Sequence, residues 1–94
     1  MNLHKITSSP FTHLTLQHCL QRIQPTEGLL LTQDATYAVL DKTLYPKLID
    51  LQSVYVLKED AEARGIVIES GKIQLITYAQ FVELSLEYDN VVSW

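Results

Sequence analysis

The chain has one cysteine, three glycines, three prolines and one tryptophan in 94 residues. A lone cysteine makes no internal disulfide, so the fold must rest on its apolar core. Three scattered glycines leave no phosphate-cradling loop: neither GxGxxG nor GxxxxGK[ST] occurs. HExxH and GxSxG are also missing. Positive charge is scarce, with seven Lys and Arg against eleven Asp and Glu, net −4. Gripping a phosphate backbone needs a basic face, so direct nucleic-acid binding is not expected. No apolar run approaches the ~20 residues that cross a bilayer. The opening residues, MNLHKITSSPF, lack the apolar core of a signal peptide. A cytoplasmic setting with a reduced thiol is the expectation, with no membrane contact.

Hydrophobic residues make up 47% of the chain, enough for a packed core and too many for a disordered chain. The length suits one small domain, residues 1–94. Two runs without alternation, Leu29-Leu30-Leu31 and Val54-Tyr55-Val56-Leu57, predict strands covered on both faces, as in a parallel sheet. Residues 2–6, with Leu3 and Ile6, predict an opening strand. A helix follows up to about Ile23, capped by Ser9 with Pro10 at its first position or by Thr12. Its stripe is Leu16, Cys19, Leu20 and Ile23. Asp34 is placed to cap a helical stretch over residues 35–40, and residues 44–51 read as helix despite Pro46.

The stretch 53–65, SVYVLKEDAEARG, reads as strand, tight turn, short helix and stop, with Gly65 just past the helix end. Asp60 and Arg64 are four apart and spaced to pair. Ile73 to Ile76 predicts a fourth strand, with 66–72 as an extended connection; a hairpin across Ser70-Gly71 is the competing arrangement. Thr77 and Gln80 match the capping-box spacing ahead of a helix over 78–88, with Tyr78, Phe81, Val82, Ser85 and Tyr88 facing inward. Residues 91–94 close the chain as a short strand. Alternating strands and helices predict a three-layer α/β domain with a mostly parallel sheet of four or five strands.

Chemistry-bearing residues are few. Cys19 is either a buried member of the helix stripe or a nucleophile able to carry a persulfide. His13 and His18 are five apart, about 140° round a helix, and share no face for a metal; no metal or other cofactor is expected. Gln33-Asp34 lies at a strand's carboxyl end, where such folds bind ligands, but it suits a helix cap better. Glu59, Asp60 and Arg64 form either a recognition patch or a solvated helix with an ion pair. The turns after the two strong strands lack glycine and carry acids, which disfavours phosphate. Trp94 is an edge anchor or an interface contact.

An ordered set of motifs carries a family resemblance: Ser9-Pro10-Phe11; Leu30-Leu31-x-Gln33-Asp34-Ala35-x-Tyr37-Ala38; Val54-Tyr55-Val56-Leu57-x-Glu59-Asp60-x-x-Ala63-Arg64-Gly65; Tyr78-x-x-Phe81-Val82; and Trp94. In this order and spacing the chain resembles the TusB/DsrH sulfur-relay proteins over nearly its whole length. The resemblance implies a DsrE/DsrH-like α/β fold. It implies a cytoplasmic heterohexamer with TusC-like and TusD-like subunits. That assembly relays persulfide sulfur from TusA towards TusE for 2-thiolation of the tRNA wobble uridine. This chain would then be an accessory subunit of a sulfurtransferase complex rather than an enzyme alone. The alternative that the resemblance carries is a DsrH-like sulfur carrier in a sulfur-oxidation complex, with persulfide on Cys19, which falls where some members have a first-helix cysteine.

Overall fold

The apolar runs set the sheet. In the computed structural model, which describes residues 1–69 and 71–94, five strands form one sheet: β1 (Asn2–Ile6), β2 (Gly28–Leu31), β3 (Ser53–Leu57), β4 (Ile73–Ile76) and β5 (Asn90–Ser93). Their order is β4-β3-β2-β1-β5, and every pairing is parallel. Leu29, Leu30 and Leu31 in β2 are fully buried, as central strands covered on both faces require.

Helices α1 (Thr15–Arg22), α2 (Tyr45–Ile49) and α3 (Lys58–Ala63), with a 3₁₀ segment over Gln33–Leu40, cover one face. They pack Leu16, Cys19, Ala35, Leu48 and Ala61 onto Ile6, Leu29, Leu31, Val54 and Val56. The other face has a thinner cover. Among the described residues only α4 (Tyr78–Ser85) and the turn after it lie there, resting Phe81, Leu84 and Tyr88 on Leu3, Leu30, Tyr55 and Ile76. Tyr88 lies so close to Gly28 that a Cβ there would overlap its hydroxyl and come 2.9 Å from its ring carbon Cζ. Gly65 ends α3 at φ +66°, the left-handed region that glycine enters without steric cost.

Several expectations shift. Neither Ser9 nor Thr12 caps α1, which starts at Thr15 with no side-chain cap. The Ser9 hydroxyl instead accepts from the Phe11 N–H within its own turn. Asp34 caps nothing: Thr32 precedes the 3₁₀ segment and Asp34 lies inside it. The Thr77–Gln80 capping box forms in full. The inner face of α4 is displaced, however. Tyr78 and Val82 are exposed, and Leu84 takes the inward place. Residues 66–69 form no strand. Ser70, in the competing hairpin turn, lies outside the described residues.

Candidate functional site

Adjacent strands β3 and β4 send the chain to opposite faces, β3 into α3 and β4 into α4. Such a divergence opens a crevice at the strands' carboxyl ends, the usual ligand position in open α/β sheets. Here it is a cavity of about 250 Å³. Leu57 lines it from the end of β3 and Asp60 from the first turn of α3, Thr32 and Gln33 from the end of β2, Lys5 from β1, and Tyr78 and Phe81 from α4.

The polar residues around this crevice are mostly committed to one another. Gln33 sits at φ +49°, a strained conformation for a non-glycine residue. Its N–H donates to the Asp60 carboxylate at 2.7 Å, a charge-assisted bond that holds the backbone there. Arg64 donates from Nε to Asp34 Oδ1 at 3.0 Å, with a second guanidinium nitrogen also 3.0 Å from that oxygen. Its remaining arm donates to the Asp60 carbonyl at 3.1 Å. The expected Asp60–Arg64 side-chain pair is therefore replaced. Asp60 serves Gln33, Arg64 serves Asp34, and the two segments singled out separately in the sequence are tied together. Glu59 accepts from the Tyr78 N–H at 3.2 Å through both oxygens, and so anchors the start of α4. Lys5, which the sequence reading passed over, lies 5.8 Å above the Phe81 ring, within cation–π range. The signal for it was its register: Lys5 alternates with Leu3 onto the face that α4 covers.

Cys19 lies elsewhere. It is fully buried in α1 against the opposite face of the sheet. Burial, and after it the negative charge of Glu27, pushes its thiol from 9.0 up to about 11. A thiol needs to ionise to act as nucleophile or sulfur acceptor, and this setting holds it neutral. The charge that acts on the thiol is that of Glu27, from the turn ahead of β2.

Two of the three histidines have separate partners. His4 is buried, its Nε2 is 3.0 Å from Glu27 Oε1, and its Nδ1 is 3.0 Å from the Trp94 indole nitrogen. His13 Nδ1 lies 2.8 Å from the Thr12 hydroxyl. Among the described residues no three His, Cys, Asp or Glu side chains gather as metal ligands. No described helix is long and apolar enough to cross a membrane. Trp94 is an edge anchor, packed on the α1–α3 face of the sheet.

The DsrH family, described as DsrH like protein, matches residues 8–91. The Protein TusB of Pectobacterium parmentieri is 34% identical over 95 residues, covering 98% of this chain and 99% of that protein. The Protein TusB of Enterobacter sp. (strain 638) is 30% identical with the same coverage. Among solved structures, protein Tm0979 from Thermotoga maritima superposes with a TM-score of 0.67 at 28% identity, covering 93% of this chain and 92% of that one. The ychN protein from E. coli superposes with a TM-score of 0.80 over 99% of this chain and 97% of that one. At 16% identity, it speaks for the fold alone. Strand order, motif spacing and full-length similarity converge: the chain belongs to the TusB/DsrH family of sulfur-relay proteins.

Proposed function

We propose that this chain is an accessory subunit of a cytoplasmic TusBCD-like heterohexamer. The complex passes persulfide sulfur from TusA towards TusE for 2-thiolation of the tRNA wobble uridine. TusC-like and TusD-like subunits are its direct partners, and the persulfide travels on those partners rather than on this chain. The observation that carries this reading is the setting of Cys19, the chain's single thiol: fully buried and held protonated. The crevice at the strand ends supports the same division of labour, since Leu57 and not a thiol occupies its turn and its acids hold backbone groups. The net charge of −4 suits a subunit that does not hold the tRNA itself.

The test is to purify the chain with its TusC- and TusD-like partners, load the complex with a persulfide donor, alkylate, and weigh each chain. The expected result is a sulfur adduct on a partner and none here, with normal wobble thiolation by Cys19→Ser. A sulfur adduct on Cys19, together with thiolation lost in Cys19→Ser, overturns the accessory role in favour of a carrier.

A further inference from the structure

Among the described residues, the face of the sheet opposite α1–α3 is covered by one eight-residue helix and the turn after it, and that helix has no fully buried residue. Its inward side is spent on Phe81, Leu84 and Tyr88. On another side, Tyr78 and Val82 of α4 and Leu86 at its C-cap recur at every fourth residue and, at helical spacing, fall within about 80° of arc. They are 61%, 49% and 84% exposed. Single exposed apolar residues are ordinary, but three large ones aligned along one helix mark an interaction surface.

The charge around this stripe is one-sided. Glu83 and Glu87 lie along the flank of α4 that faces β3 and β4. Glu59 meets the helix at Tyr78, and Asp60 shares the crevice with Tyr78. Lys5, over Phe81, offsets one of these four charges. In an antiparallel two-fold contact between copies of this chain, the Glu83 and Glu87 borders would face each other, with like charges opposed.

We propose that the Tyr78, Val82 and Leu86 stripe is the docking surface for a non-identical partner subunit that presents an apolar ridge edged by Lys and Arg. The inference rests on the assembly reading above and adds to it the surface used and the charge its partner must carry. Burying the stripe supplies affinity. The acidic border selects the partner and makes association weaken as salt rises.

The test uses the full chain with its TusC- and TusD-like partners and measures affinity at low and high salt. Val82→Glu with Leu86→Glu is expected to weaken association about tenfold or more. Val67→Glu, exposed on the other side of the sheet, is expected to leave it unchanged. Glu83→Lys with Glu87→Lys is expected to weaken association and flatten its salt dependence; it also serves if the first pair misfolds by circular dichroism. Stripe and border variants that assemble like the wild-type chain overturn the proposal and leave the assembly reading standing. Failure of the wild-type chain to bind either partner overturns the assembly reading itself. Sedimentation of the isolated chain as a dimer that Val82→Glu with Leu86→Glu dissolves overturns the non-identical partner in favour of a second copy.

Discussion

Cys19 shows how burial decides between two uses of one side chain. Its helix position supplies apolar neighbours, and Glu27 adds a negative charge that opposes ionisation. The folded-state pKa is raised, so the native state keeps its proton longer than the unfolded chain. The stabilisation from a neutral thiol is therefore complete below pH 9.0 and is lost as pH rises through about 11. Native protein should resist iodoacetamide near neutral pH and react once unfolded in guanidinium. Cys19→Ala should cost about 1 kcal/mol at neutral pH, read as a lower urea midpoint, and should remove this share of the alkaline loss. Fast alkylation of the native chain at neutral pH would contradict the burial. The stripe containing Cys19 was legible from spacing alone. Glu27 was not, because nothing local shows that the turn before β2 comes back beside the helix.

Among the elements, α4 separates what local sequence specifies from what it does not. The Thr77–Gln80 reciprocal cap is a property of four consecutive residues, and it forms as the spacing predicts. Thr77→Ala should cost about 1 kcal/mol, lowering the melting temperature by about 4–8 °C in a domain of this size. An unchanged melting curve would mean that Glu59 alone secures the helix start. The inward face is another matter. Periodicity fixes which residues share a side, while packing on the sheet and the Tyr88 contact over Gly28 fix which side turns in. Phe81 and Tyr88 were placed correctly, and Leu84 displaced Val82. The ends of β2 and β3 follow the same rule. Asp60 and Arg64 have an adequate local geometry for pairing. Partners 27 and 30 residues away win because they satisfy a strained backbone N–H and a forked guanidinium.

At the scale of the whole molecule, the turn before β2, strand β1 and the Trp94 end of β5 are tied together by three residues far apart in sequence. Glu27 accepts from the Gln24 N–H at 3.0 Å and the Asn2 N–H at 3.3 Å, joining the turn before β2 to the start of β1. Its other link is to His4, which Trp94 meets from the far side. An indole nitrogen only donates, so His4 Nδ1 accepts and Nε2 carries the hydrogen directed at Glu27. The backbone N–H of Gln24 foremost, and His4 after it, hold the Glu27 carboxyl below its usual 4.5. A depressed carboxyl contributes stability that is present above 4.5 and is lost as pH falls through the lower folded-state value. Glu27→Gln keeps an acceptor oxygen and loses the charge. It should cost about 1–2 kcal/mol at neutral pH and show a shallower loss of stability below pH 4.5 than the wild-type chain. Urea midpoints measured across that range give the comparison. Parallel curves for the two proteins would show that the network holds the edges together without depending on the charge of Glu27. Converging curves would identify Glu27 as the ionic tie linking the turn before β2 to β1 and, through His4, to the Trp94 end of β5.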